Sequence, residues 1–369
     1  TEKVEKQSAF DCVLAQKQHL LALQLNTVDD SAEKLNYANF MISWTGIINA
    51  DKVMGEIMEI WTRNNRGRTG HYDRTAWLFA FLIWIRSGNT KFWMSLFMGL
   101  EKSTVKKKFS EILIPFSDWA DAQIKLPSLA EWQANTSDEF KEMFPNCLPF
   151  FVDGTVVPHY RPANNEAQKK HFNVKHGIHA LAFSILVMDS GKIVWLSHVD
   201  LGNQHDATAW NASDACEKLI EAYSAVSCKL PKSPDVPQLV ICGDKAYPRI
   251  HLPGGWKVVL TKTATEGLHN ENHRDIPGEI PPTGFLPDEL PPNMDPYNFH
   301  RSSGSAILIS GTIARFRQVV ERTFAVIKRW KILFSKCTLS VKDKHRPTRL
   351  IKIVCALANI SITFERRRQ

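Results

Sequence analysis

Three acidic residues stand where their type and placement could do chemistry. Asp153 and Asp244 each close a short apolar run, Leu148 to Val152 and Gln238 to Cys242, and each adjoins a glycine, Gly154 or Gly243. Such runs read as β-strands, and in α/β sheets catalytic groups collect at the carboxyl edge of the strands. If the two strands are neighbours, both carboxylates project from one edge into one cleft. The third acid, Glu321, lies in Ile313 to Leu333, which is apolar at helical spacing. At about 100° per residue, Arg317, Glu321 and Lys328 fall within about 40° of one another. Phe316, Val319, Val320, Val326, Ile327, Trp330 and Leu333 cover a separate arc of about 140°. The helix can therefore pack on the sheet and present Glu321 between two cations; Phe324 alone breaks the scheme, falling near the polar stripe.

Three clustered carboxylates repel one another, and divalent cations relieve that repulsion. Hard oxygen donors suit Mg²⁺ or Mn²⁺. Two such ions about 4 Å apart activate an attacking water or 3′-hydroxyl and stabilise the leaving oxygen. Arg317 and Lys328 would then neutralise DNA phosphates beside the scissile bond. Singly, each acid has a plainer explanation. Asp153 and Asp244 suit turns next to glycine, and Glu321 suits an ion pair with Arg317 one helical turn away. Their joint placement favours the catalytic reading.

The elements that must position these residues belong to a mixed α/β region beginning near Leu148. Gly177 to Met188 and Lys192 to Val199 flank Asp189-Ser190-Gly191, a strong hairpin signal. Asp206 to Ser224 reads as a helix, Trp256 to Leu260 as a strand and Leu350 to Phe364 as a closing helix. Between Thr263 and His300 the chain turns polar, with seven prolines from Pro277 to Pro296. That segment reads as an insertion outside the catalytic core.

Before Leu148 the pattern is helical, notably over Phe10 to Leu25 and Ala38 to Trp61. A Gly- and Arg-rich break follows at Arg63 to Gly70, so the expected division is 1–70, 71–147 and 148–369. Within the middle part, Arg74 to Arg86 and Thr90 to Met98 are apolar helices, and Gly99 to Lys102 makes a turn. Ser103 then stands ready to N-cap a third helix, Thr104 to Ile114. A Gly-containing turn before a basic helix is how a helix-turn-helix presents its recognition helix, here with Lys106, Lys107 and Lys108 toward phosphates. The same packing occurs in helical cores that bind nothing.

Charge agrees with a polyanionic partner. The net charge is +8, yet residues 301–369 alone carry 16 Lys+Arg against 3 Asp+Glu, leaving −5 for the rest. A basic end of this kind points first to nucleic acid. Seven cysteines stand singly, with no C-x-x-C pair, which argues against a zinc ribbon and fits reduced thiols of the cytosol or nucleus. The longest apolar run, Ala76 to Ile85, is half a membrane span and reads as a buried helix, so no membrane is expected.

The segments FVDGT around Asp153, FNVKHG at 172–177, GNQHD at 202–206, GDKAYP at 243–248, VVERTFAVIKRWKIL at 319–333 and CALAN at 355–359 resemble the PIF/Harbinger superfamily of DDE transposases. The most specific part is Arg317, three residues, Glu321, six residues, Lys328, a spacing shared with related bacterial transposases. The resemblance implies an RNase H-like domain that cuts element ends and joins them to target DNA, with Asp153, Asp244 and Glu321 as its three acids. Asp206 matches a fourth acid that assists metal binding; its alternative role is to N-cap the helix from Ala207. Lys331, inside the last long segment, joins Arg317 and Lys328 as an expected DNA contact. A nuclear location and a separate Myb-like DNA-binding partner are also implied, and the oligomeric state, a homo-oligomer among the options, is left open. Two departures stand out. Ala314 occupies the place of a signature Tyr, and Asp244 and Glu321 lie 77 residues apart, a wide gap that the Pro-rich segment fills. A competing reading is a domesticated DNA-binding protein that kept the fold and lost transposition; another is an RNase H-like nuclease acting on a different nucleic acid.

Overall fold

Ten consecutive apolar residues leave a helix no polar face to turn to water. In the computed structural model all ten, Ala76 to Ile85, are buried within one helix. The structure describes residues 50–64, 74–143, 147–227, 238–243, 257–260, 303–334 and 345–366. Among the described residues no helix is long and apolar enough to cross a membrane. The expected helix at Phe10 to Leu25, the Pro-rich segment and most of the Arg63 to Gly70 break lie outside the described residues.

The chain divides into two compact units. The first combines Thr1–Gln123, Pro158–Tyr160 and Ile327–Phe364. Its helices are α1 (Ala50–Asn64), α2 (Arg74–Ser87), α3 (Lys91–Met98), α4 (Lys102–Gln123), α11 (Lys331–Phe334) and α12 (His345–Arg366). The aromatic core gathers around Phe109, whose ring meets Trp77, Phe81 and Trp84 at centroid distances of 6.4, 5.4 and 5.1 Å. Trp119 Nε1 donates to Glu56 at 2.7 Å, and Lys352 pairs with Asp121 at 2.7 Å, so α4 is tied to α1 and to α12. The first stretch of this unit closes at Gln123, the last residue of α4.

The helix α4 runs on past Ile114 through Pro115, which cannot donate a helical hydrogen bond. Val105, Phe109, Ile112, Phe116, Trp119 and Ala120 nevertheless form one continuous buried face, and its burial outweighs the missing bond. The start of α4 also differs from expectation. The helix begins at Lys102, and the Ser103 hydroxyl donates to the Glu101 carboxylate at 3.1 Å rather than capping the helix. The turn before it is as expected in kind. Gly99 adopts φ 62°, its N–H and that of Leu100 close back on Leu96 and Ser95, and α3 is N-capped by Thr90.

The second unit combines Ile124–Val157, Arg161–Val326 and Glu365–Gln369. It holds α5 (Leu129–Asn135), α6 (Asp138–Met143), β1 (Cys147–Pro158), α7 (Asn165–His171), β2 (Phe172–Asn173), β3 (Ile178–Met188), β4 (Ile193–Leu196) and β5 (Asp200–Leu201). After these come α8 (Asp206–Asn211), α9 (Ala215–Ser227), β6 (Gln238–Gly243), β7 (Lys257–Leu260) and α10 (Ser303–Lys328), whose last two residues fall to the first unit. The sheet is mixed, in the order β2-β3-β1-β6-β7, with β4 and β5 also paired to β3. Strands β1, β6 and β7 run parallel, whereas β2, β4 and β5 are antiparallel to β3.

Alternation along β1 explains why both faces of the sheet are covered. Leu148, Phe150 and Val152 point to one face and join Trp132, Trp195, Trp210, Leu219 and Tyr223 in a single core. There Trp132 stacks on Phe150 with centroids 3.8 Å apart, and its indole N–H donates to the Pro149 carbonyl at 2.9 Å. Phe151 points the other way and meets Phe140, which packs against Phe316 of α10. The hairpin at Asp189–Gly191 forms as expected, Gly191 taking φ 81°. A bulge between Leu186 and Val187 shifts its register. The helix expected over Asp206 to Ser224 is broken at Ala212–Asp214. Ser213 donates its hydroxyl to the Trp210 carbonyl at 2.6 Å and accepts from Ala215 N at 3.2 Å, ending α8 and starting α9.

Candidate active site

Asp153 does not close its strand. β1 continues through Thr155, Val156 and Val157, whose branched side chains favour extended backbone, and ends at Pro158. What ends near Asp153 is the pairing with β6. The parallel register runs from Cys147 opposite Gln238 to Phe151 opposite Cys242. Phe151 and Cys242 each stand two residues before an acid, Asp153 and Asp244. Asp244 itself lies outside the described residues.

The Asp153 carboxylate is held on two sides. Oδ1 accepts from the Gly154 N–H at 2.8 Å. Oδ2 lies 3.5 Å from Arg317 on α10, in an ion pair whose side chains are 12% exposed for the arginine and 20% for the acid. Helix phase explains why Arg317 makes this contact. The buried arc of α10 is wider than its aliphatic pattern suggests, because Phe324 is also buried, 5% exposed, against Phe183 of β3. Arg317 falls about 20° beyond Phe324 around the helix, at the margin of the packed face. Thr323, deep in that face, donates to the carbonyl of Gly191 at 3.0 Å and fixes the helix against the hairpin turn.

Asp206 approaches the next residue of β1, Gly154, from a different element. It is the first residue of α8; the N-cap is His205, which makes no side-chain capping bond. The capping role considered for Asp206 is therefore corrected. Its half-buried carboxylate lies against the backbone of Gly154, where an added Cβ would sit 2.4 Å from Oδ1 and 3.0 Å from Cγ. Gly154 thus stands where Asp206 leaves no room for a side chain, although beside Asp153 it reads as a turn. The signal for it was a glycine inside an apolar strand, which marks a close backbone approach.

Glu321 is exposed on α10, one turn, or about 6 Å of helix rise, beyond Arg317. Lys328 and Lys331 are exposed at the end of α10 and the start of α11. Lys106 and Lys107 are exposed on α4, whereas Lys108 is half-buried and pairs with Glu111 at 2.8 Å. The structure thus brings Asp153 to Arg317 on the α10 face of β1, and Asp206 to Gly154 on the face that Val152 shares with Trp210. Among the described residues no group of three metal-ligating side chains is assembled. The Asp153 and Asp206 carboxylates are hard oxygen donors of the kind Mg²⁺ and Mn²⁺ take.

The family model for DDE superfamily endonucleases matches residues 152–276 and 288–359, more than half of the chain. The chain is a member of the DDE superfamily endonucleases. No curated protein and no solved structure matches it. The family match opens one residue before Asp153 and spans Asp206, Asp244, Arg317, Glu321, Lys328 and Lys331, while Lys106, Lys107 and Lys108 precede it. The residues it skips, 277–287, fall inside the Pro-rich segment. In this DDE superfamily chain the mixed sheet, helices on both faces and a carboxylate near the end of the β1–β6 pairing are compatible with a nuclease fold, and DNA is the substrate such a family implies.

Proposed function

We propose that the chain is a PIF/Harbinger-type transposase with an RNase H-like catalytic domain, which cuts element ends and joins them to target DNA. The observation that carries this reading is Asp153, two residues past the end of the β1–β6 pairing and ion-paired with Arg317 of α10, inside the span matched to DDE endonucleases. Asp153, Asp244 and Glu321 are the three catalytic acids and Asp206 a fourth metal ligand. When bound, Mg²⁺ or Mn²⁺ ions supply an activated oxygen nucleophile and stabilise the leaving oxygen. Arg317 keeps the Asp153 carboxylate oriented and neutralised until those ions bind, and then lies where a phosphate needs a cation. Nicking of supercoiled plasmid by the purified chain, with Mg²⁺ or Mn²⁺ and with chelator, tests the reading. Metal-dependent nicking supports it. DNA binding without cutting under any metal would favour the domesticated-binder reading.

The helical unit serves as the DNA-binding part of the same machine, with α3 and α4 as a helix-turn-helix. Lys91, Lys102, Lys106 and Arg346 crowd together here. The Lys91 ammonium is pushed down to about 8, first by burial and then by those like charges. Such a cluster is relieved by an anion, and phosphate is the anion that DNA brings. The expected result is specific to the exposed lysines. Lys106→Gln with Lys107→Gln lowers the slope of log affinity against log salt by about 0.9 for each phosphate no longer neutralised. Lys108→Gln leaves it unchanged, because Glu111 already holds that ammonium. Fluorescence anisotropy over a salt series reads both. Equal slopes for all three proteins would assign α4 to scaffolding.

A further inference from the structure

The β2–β3 hairpin is too short to hold its shape by pairing alone. Only Phe172 with His179 and Asn173 with Ile178 are in register, and a ladder of that length is marginal in water. Its order comes from elsewhere. Asn173 accepts from the His176 N–H at 3.1 Å and donates its amide to the Gly202 carbonyl at 2.7 Å. Gly177 closes the turn with φ 63°. Gly202 is pressed so close that an added Cβ would lie 2.5 Å from the His171 carbonyl and 2.6 Å from that of Ala180. Asn203 N donates to the Lys170 carbonyl at 3.3 Å. The hairpin is thereby clamped to the segment that ends, at Asp206, on Gly154 beside Asp153.

What this rigid hairpin presents is unusual for a surface turn. Val174 at its tip is 82% exposed and Phe172 at its base 37%. From Ala167 to His179 the chain has three lysines, three histidines and no acid. Lys169, Lys170 and Lys175 are all exposed, and among the described residues none of them forms an ion pair. Lys169 and Lys170 in the last turn of α7 have an ordinary use in offsetting that helix's dipole. That use explains neither Lys175 nor an apolar side chain held out in water at a fixed place.

The geometry points to the hairpin as a contact for duplex DNA flanking the scissile phosphate, the three lysines on backbone phosphates and Val174 seated in a groove. Charge complementarity selects the polyanion, and the apolar tip selects sugar and base edges rather than phosphate alone. The inference rests on the nuclease reading only for the position of the cut; the contact itself is measured without cutting.

The test uses the full chain, a short labelled duplex of mixed sequence and calcium in place of magnesium, so that binding is read without turnover. Combined Lys169→Gln, Lys170→Gln and Lys175→Gln substitution is expected to lower the salt slope by about 3, near 0.9 for each phosphate left without its lysine. Val174→Ser is expected to weaken binding about fivefold with the slope unchanged, because the apolar burial of one valine is removed. Both variants should melt like the parent, because all four side chains are exposed. Unchanged slope and affinity overturn the inference, whether or not the parent nicks plasmid. A change in sedimentation with no change in slope would assign the hairpin to self-association instead. If the parent never nicks but the slopes differ as expected, the hairpin contact stands and the nuclease reading fails.

Discussion

Asp153→Asn, Asp244→Asn and Glu321→Gln are each expected to give a folded protein that binds DNA and scarcely cuts it. The substitutions are nearly isosteric, so packing survives. Asparagine at 153 can still accept from the Gly154 N–H, the 2.8 Å bond that Oδ1 makes now. Each change removes one negative charge from a site proposed to hold divalent cations, so metal affinity falls and cleavage drops by at least about a hundredfold. DNA binding persists or tightens, because fewer carboxylates repel phosphate. The three differ in stability. Asp153→Asn takes away the carboxylate charge that faces a mostly buried Arg317, and a lowered melting temperature follows. Glu321→Gln touches an exposed residue and should melt like the parent. Plasmid nicking, an anisotropy titration and a thermal melt on the same preparations read all of this. Parental cutting rates in all three variants would show that the assignment is wrong.

The different stabilities expected at 153 and 321 reflect how far the site was legible in the sequence. Local patterns came through. The apolar run of α2, the Asp189–Gly191 turn and the strands leading to Asp153 and Asp244 are encoded by residues close together in the chain. Helix phase placed Arg317 and Glu321 on one stripe, yet it could not tell which of them meets Asp153. That depends on how far the packed face extends, and Phe324 decides it by burying against Phe183, a residue of another element. Ser103 misled for the opposite reason: it is a strong local signal for a cap, yet α4 already starts at Lys102 and the Ser103 hydroxyl turns to Glu101. Gly154 is the clearest case. Beside Asp153 it reads as a turn, and only its contact with Asp206, 52 residues on, shows why a glycine stands inside β1.

That contact yields the second large effect, from the smallest side chain that can be added. Gly154→Ala is expected to cost about tenfold to a hundredfold in cleavage while leaving the fold in place. The backbone is no obstacle: Gly154 lies in a strand and is not among the glycines with positive φ, so alanine suits its conformation. The obstacle is Asp206. A Cβ at 2.4 Å from Oδ1 and 3.0 Å from Cγ overlaps the carboxylate, and aspartate is too short to bend aside without moving its oxygens. Its backbone is fixed as the first residue of α8. Relief must come from rotating the carboxylate or shifting α8, at about 1–3 kcal/mol of overpacking. Displacement of a positioned group by about 1 Å is enough to cost about a hundredfold in rate. Whether the effect runs through Asp206 is read by a double-mutant cycle. Asp206→Ala alone should cut poorly, and adding Gly154→Ala to it should cost nothing more, because the clashing oxygen is gone. A manganese titration of the four proteins should show the same pattern in affinity. Additive losses would mean that Gly154→Ala acts through the strand and not through Asp206. A Gly154→Ala protein that binds manganese and cuts like the parent would remove Asp206 from the site altogether.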